Sequence, residues 1–316
     1  MDPQVVNQLI ILFLLMVLGF GATKIGFIDK VGSDKISSLI SRVTMPAMYL
    51  STFMGQQFSK ESLAQSGILL VISVVFYVFS LAFSFLFVWA TRTDKKEGGV
   101  YQFLLVFSNA AYMGFPVLKA VLGEEAIFYG AFFNIPFNIL AYSLGIWLLN
   151  RGRGKGSVRP KDMFLNPGTL AVCGGVLFFV LSPLWNTTGV YKVFSSGPIY
   201  QTLDMVGDMT VPLSMLVIGC VLATVKPGAV FKNWRIMVAC VARLLIIPGA
   251  VYLCLLPFDL DPIVRGIPVL IAGMPSAVFS VILSKEYGGD EKTASIGVFL
   301  STLASALTIP LISGWL

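Results

Sequence analysis

Gly114-Phe115-Pro116 and Gly273-Met274-Pro275 each fall inside a long apolar run, where a proline removes an amide donor and clashes with the preceding helical turn. A glycine beside it lowers the cost of leaving helical geometry. The two tripeptides are therefore candidate helix breaks. The plainer reading of either one alone is a kink, because proline is tolerated in membrane-spanning helices. A break has chemical consequences. Half-helices starting after Pro116 and Pro275 would aim their N-termini at the centre of the run, each carrying about +0.5 charge and unpaired N–H groups. Together two such ends complement roughly one carboxylate. The surrounding residues Ser108, Asn109, Tyr112, Met113, Met274, Ser276 and Ser280 include no Asp or Glu. The local field stays positive, which favours an anion over Na+ or H+, and Asn109 can donate its amide hydrogens to a carboxylate. The plainer role for Asn109 is a helix–helix hydrogen bond, or a partner for backbone groups freed at the break.

Other polar residues in apolar surroundings need the same weighing. Arg243 is positioned either to balance an anion or to snorkel toward an interface. Asn134 and Asn138 lie four apart around Pro136, so they share a helix face that lines a cavity or satisfies a broken backbone. Asp204 and Asp208 are the carboxylates available for proton coupling. Glu124, Glu125, Asp290 and Glu291 open helices, where acids favour the macrodipole and read as caps. Lys119 is expected to snorkel or pair at an interface.

The elements that must position these residues follow from composition. Of 316 residues, 56% are hydrophobic and 12% charged, half the charged share of a soluble chain, so the solvent is a bilayer. With no histidine, zinc hydrolases and His-based acid–base enzymes are excluded, and no metal or cofactor is expected. Cys173, Cys220, Cys240 and Cys254 lie in apolar stretches without a CxxC pair and read as buried free thiols. The net charge of +6 is spread among loops and does not indicate nucleic acid.

Apolar runs predict ten spans, at 5–28, 35–55, 64–90, 100–122, 126–149, 166–184, 200–225, 236–256, 265–286 and 292–315. Basic residues cluster in alternate loops: Arg92, Lys95 and Lys96; Arg151, Arg153, Lys155, Arg159 and Lys161; Lys226, Lys232 and Arg235. Lys30 and Lys35, and Lys285 and Lys292, belong to the same alternate set, whereas the opposite set of loops holds only Lys60 and Lys192, with Arg265 at an edge. The positive-inside rule puts the basic set in the cytoplasm and both termini outside, in a multi-pass protein of the cell membrane. Met1-Asp2-Pro3 has no basic segment, so the first span is expected to be an anchor and not a cleaved signal. The Asn186-Thr187-Thr188 sequon falls on the outer side and is read as chance.

The basic loop 150–162 divides the chain into 1–149 and 163–316, with five predicted spans in each part. Related halves with an odd number of spans must insert in opposite senses. Three matches in the same order support such a repeat. Val43-Thr44-Met45-Pro46 answers Met209-Thr210-Val211-Pro212, Gly114-Phe115-Pro116 answers Gly273-Met274-Pro275, and Gly123-Glu124-Glu125-Ala126 answers the segment from Gly289 to Ala294. The fold expected is an all-α polytopic membrane protein with a 5+5 inverted-topology repeat.

The segment from Ser108 to Pro116, continuing to Gly123-Glu124-Glu125-Ala126, resembles the auxin efflux carrier family, the bacterial and archaeal relatives of plant PIN-type carriers. So does Gly273-Met274-Pro275 through Tyr287-Gly288-Gly289-Asp290 to Ser301-Thr302-Leu303. The resemblance spans the whole chain, and its fourth-span motif is the more specific. It implies broken, crossing fourth and ninth helices like those of bile-acid symporters and sodium/proton antiporters. Spans 1, 2, 6 and 7 would form a dimerising scaffold, and spans 3–5 and 8–10 an elevator domain that carries organic anions. Asn109, Pro116 and Pro275 would map onto the anion site and crossover. The long central hydrophilic loop of many plant members is absent.

These readings converge on a carrier of carboxylates, with substrate contacts drawn from Asn109, Tyr112, Met113, Gly114, Pro116, Gly273, Met274, Pro275, Ser276, Asn134, Asn138 and Arg243. With the cell interior negative, moving one anionic charge outward gains about 2.3 kcal/mol per 100 mV, so export needs no coupling ion. Two alternatives stand beside it: proton-coupled uptake of a malonate- or malate-like dicarboxylate through Asp204 or Asp208, and a membrane ligand sensor of the same fold. No nucleophile–base set or paired catalytic carboxylates suggests an enzyme.

Overall fold

The computed structural model describes residues 3–151, 167–185, 195–224 and 233–316. The basic residues Arg153, Lys155, Arg159, Lys161, Lys192, Lys226 and Lys232 and the Asn186-Thr187-Thr188 sequon lie outside the described residues, as does the expected linker 150–162 beyond Arg151. Among the described residues the chain is helical and contains no β-strand. The helices are α1 (Pro3–Lys24), α2 (30–55), α3 (Lys60–Ala90), α4 (Lys95–Val106), α5 (Ala110–Leu122) and α6 (Glu125–Asn150). They continue as α7 (Pro167–Trp185), α8 (Pro198–Thr224), α9 (Trp234–Leu255), α10 (Pro262–Gly273), α11 (Phe279–Tyr287) and α12 (Glu291–Ser313).

Seven of these, α1, α3, α6, α7, α8, α9 and α12, are long and apolar enough to cross a bilayer. The ten spans expected from apolar runs include three stretches that do not meet that measure, for identifiable reasons. Helix α2 starts in the polar decapeptide Lys30–Leu39. The predicted fourth span is divided into α4 and α5, and the predicted ninth into α10 and α11.

Proline accounts for much of the local irregularity. Widened π-helical turns occupy Ile40–Thr44, Ala110–Gly114 and Ala242–Ile246, and each ends two residues before a proline: Pro46, Pro116 and Pro248. The turns close through i→i−5 bonds, Met45 N–H to Ile40 O, Phe115 N–H to Ala110 O and Ile247 N–H to Ala242 O. Widening shifts the turn ahead of each proline and so relieves the clash between its ring and the carbonyl of the preceding turn.

Small residues set the closest contacts. Helix α1 lies on α8 with Gly19 against the Leu216 carbonyl and Gly219 against the Met16 carbonyl, where a Cβ on either glycine would collide with backbone. The Cys220 thiol donates to Gly19 O at 3.5 Å across the same contact. Helix α2 packs on α7 and on the first half of α8. A second cluster joins α3 to α4 and α6, and α9 to α10 and α12. Along α3, Ser66, Ser73, Ser80 and Ser84 are buried, and Ser73 Oγ donates to Phe133 O of α6 at 2.6 Å. All four cysteines are free; Cys220 and Cys240 are buried as expected, whereas Cys173 and Cys254 are exposed on the outer faces of apolar helices.

Candidate functional site

Between α4 and α5 the chain leaves the helix at Phe107–Asn109, and between α10 and α11 it does so at 274–278. Met274 is extended (φ −68°, ψ 149°), the conformation that a following proline imposes. The two interruptions cross and pair with each other. Asn109 N–H donates to Pro275 O at 2.7 Å and Ala277 N–H donates to Phe107 O at 3.0 Å, an antiparallel bridge centred on Ser108 and Ser276. Phe107, Ser108, Asn109, Met274, Ser276 and Ala277 are all buried. A broken helix in apolar surroundings must find new partners for its freed backbone groups, and here each break supplies them to the other.

One break departs from the sequence expectation. The second half-helix of the fourth stretch starts at Ala110, ahead of Gly114-Phe115-Pro116 and not after Pro116. Pro116 instead follows the π turn near the start of Phe115–Leu122, where its lack of an N–H is harmless. The Gly273-Met274-Pro275 break falls where expected.

Four helix ends therefore meet at the crossing: the C-terminal ends of α4 and α10 and the N-terminal ends of α5 and α11. The C-terminal carbonyls are held by side chains. Ser276 Oγ donates to Leu104 O at 2.9 Å, while Ser276 N–H donates to Ser301 Oγ at 3.1 Å. Arg243 is completely buried and does not snorkel, which corrects that alternative. Its guanidinium donates to Leu105 O (Nη1, 3.0 Å), Met274 O (Nε, 3.2 Å) and Ile271 O (Nη2, 3.4 Å). Among the described residues no carboxylate pairs with it.

The N-terminal ends differ. Asn109 is 3% exposed and its Nδ2 has no hydrogen-bond partner. Ser108 Oγ, Ser280 Oγ and Thr302 Oγ1 are likewise buried without partners. Unsatisfied buried donors are uncommon and each requires an explanation. Gly114 brings the first turn of α5 against Ile271 of α10, and Gly273 brings the end of α10 against Ile312 of α12, approaches that a Cβ would obstruct. Met113 and Pro116 are buried in the same region, with Ser305 Oγ 3.9 Å from the Met113 sulfur.

Other expected site residues are directed elsewhere. Tyr112 reaches α2, where its hydroxyl lies 2.9 Å from Ser37 Oγ and donates to Ser37 O at 3.2 Å. Asn134 Nδ2 contacts Tyr49 Oη at 3.5 Å and leaves Oδ1 without a partner. Asn138 is partly exposed. Asp208 pairs with Lys119 at 3.3 Å, and Lys119 also pairs with Glu124 at 2.7 Å. The Glu124 side chain makes no cap, unlike Asp290, which accepts from the Lys292 and Thr293 amides. Lys119, Glu124, Asp204 and Asp208 border a polar cleft of about 30 Å³ between α2, α5, α6 and α8, separate from the crossing. Lys119 pairs, one of the two expectations for it, although its partners were not named from the sequence; Ser301 was not singled out as a site residue. Glu124, five residues after Lys119, was the visible signal for one of its partners; Ser301 appeared only within the Ser301-Thr302-Leu303 segment that carries the family resemblance.

Comparison with known proteins reaches the same kind of molecule. A family described as "Membrane transport protein" matches residues 4–313. An "Uncharacterized transporter" of Methanothermobacter thermautotrophicus is 24% identical over 308 residues, covering 94% of this chain and 93% of the relative. Another of Methanocaldococcus jannaschii is 23% identical over 319 residues, covering 98% of each. A Rhizobium meliloti protein named "Putative malonate transporter" is 22% identical over 304 residues, covering 94% of this chain and 91% of the relative.

Proposed function

Because the chain belongs to the membrane transport family that includes the PIN-like auxin efflux carriers, we propose that it is a secondary carrier of organic anions, binding a carboxylate where the two broken helices cross. The observation that carries this reading is the buried Asn109 Nδ2, a donor without a partner beside two helix N-termini, in crossing segments that contain no Asp or Glu. A carboxylate supplies the missing acceptor and the charge that the two ends favour.

In this reading the ten helical stretches form a 5+5 inverted repeat. The paired breaks support it, as do the positive-φ glycines that follow the second halves, Gly123 (φ 87°) and Gly288 (φ 84°), of which Gly288 alone is left-handed helical. Helices α1, α2, α7 and α8 act as a scaffold and form the homodimer contact. Helices α3–α6 and α9–α12 slide as an elevator, with both termini outside. The seam is bridged by Tyr112 to Ser37 and Lys119 to Asp208, contacts that must break and re-form as the moving part shifts. Transport is electrogenic export without an obligatory coupling ion. Uptake coupled to protons is a second reading, supported by Asp208 being at that seam and by the name of the Rhizobium relative, "Putative malonate transporter".

Counterflow in vesicles containing the purified protein tests the assignment. Radiolabelled malonate, lactate or indole-3-acetate should exchange across the membrane, and Asn109→Ala should abolish exchange without unfolding the protein. Full exchange by Asn109→Ala would remove the crossing from the site. Net transport down a substrate gradient that is insensitive to voltage and stimulated by a pH gradient would favour the coupled reading.

A further inference from the structure

We infer that Arg243 is the residue that makes the crossing selective for anions, by neutralising the two C-terminal helix ends and leaving the two N-terminal ends uncompensated. The inference rests on the organic-anion reading above and names the origin of its charge preference.

The four helix ends carry opposite partial charges. Each N-terminal end contributes about +0.5 and each C-terminal end about −0.5, so a crossing of two broken helices is by itself neutral. Such a site has no intrinsic preference between a carboxylate and an ammonium, or between a carboxylate and its amide. Arg243 adds one full positive charge, and no carboxylate among the described residues cancels it. Its position is specific. All three hydrogen bonds go to carbonyls at the C-terminal ends, Leu105 of α4 and Ile271 and Met274 at the end of α10. The guanidinium thus opposes the negative ends, and the net positive field belongs to the starts of α5 and α11. There Asn109 leaves its buried Nδ2 without a protein acceptor. Arg243 is therefore a specificity-determining residue that acts through the field and does not need to touch the substrate. Its fixed geometry follows from the same contacts: a planar fork on three carbonyls cannot swing toward the N-terminal side without losing them.

The competing role is a clamp, in which Arg243 only satisfies carbonyls that the break has orphaned. Charge and clamping separate in two substitutions. Arg243→Lys keeps the charge and loses the fork; Arg243→Gln keeps some hydrogen bonding and loses the charge. The measurement is competition for counterflow in vesicles by malonate against malonamide, lactate against lactamide, and benzoate against benzamide. Wild type should prefer each acid. Arg243→Gln should lower the acid-over-amide preference about tenfold or more, and Arg243→Lys should keep it within about threefold.

A wild-type preference retained by a transporting Arg243→Gln, or a preference lost equally in Arg243→Lys, overturns the inference while leaving the anion-carrier reading in place. If Arg243→Gln is not recovered as a monodisperse protein, Arg243→Lys decides alone: retained preference supports the charge role and lost preference overturns it. A wild-type protein that transports none of the three acids overturns the anion-carrier reading and this inference with it.

Discussion

Asn109 combines almost complete burial with an amide nitrogen that no protein group satisfies. Removing such a group should cost little stability, because no native hydrogen bond of that nitrogen is lost. Asn109→Ala is therefore expected to keep its thermal midpoint within about 1 kcal/mol of wild-type stability while carboxylate affinity falls about tenfold or more. Thermal unfolding and ligand-induced shifts on the same sample measure both quantities, and a large midpoint drop with unchanged affinity would make Asn109 structural. Lys119 presents the opposite case. Its pairs with Glu124 and Asp208 are partly exposed, so Lys119→Ala should change stability by less than about 1 kcal/mol. If the Asp208 pair restrains the moving part, the same variant should exchange substrate faster, by up to about fivefold, the rate equivalent of that energy. An unchanged or slower rate would remove the restraint from the account.

At the scale of elements, glycines fix the distance between α1 and α8. The Gly219 Cα faces the Met16 carbonyl with no room for a Cβ, so Gly219→Val must push the helices apart. An overpacking cost of about 1–3 kcal/mol is expected, visible as a lower thermal unfolding midpoint in detergent. A midpoint equal to wild type would mean that α1 and α8 can reseat without cost. Helix breaks obey different physics from close packing. The proline at 275 coincides with its break, and the proline at 116 follows a π turn some residues after its break. Gly-x-Pro thus identified which apolar stretches are interrupted, because proline's steric effect is local and readable. It misplaced the first interruption, because a widened turn can accommodate a proline that a regular helix cannot.

At the scale of the whole molecule, what was legible in the sequence divides along the same line. Composition and apolar runs gave the solvent and the helical class, since both follow from how many residues face lipid. The two breaks emerged from paired motifs in the two halves, and their crossing from the family resemblance. Arg243 was visible as an expensive intramembrane cation, yet its partners were not: they are backbone carbonyls of residues 105, 271 and 274, distant in sequence and carrying no side-chain signature. The same reason hid the Lys119–Asp208 pair, which joins residues 89 apart. Energetics at this scale concern direction. One negative charge moved outward gains about 2.3 kcal/mol per 100 mV, so uncoupled carriage of a monoanion predicts that an inside-negative potential accelerates efflux from preloaded vesicles. A rate indifferent to valinomycin-imposed voltage would contradict electrogenic export.

The central claim is that a carboxylate rests where the two broken helices cross. Its most direct measurement is a crystal structure of the full chain with 4-bromobenzoate, in which anomalous scattering locates the bromine and electron density locates the acid group. The account predicts the carboxylate within hydrogen-bond reach of Asn109 Nδ2, about 3 Å, against the starts of α5 and α11. A bromine signal confined to the cleft beside Lys119, or a metal cation occupying the crossing, would contradict it.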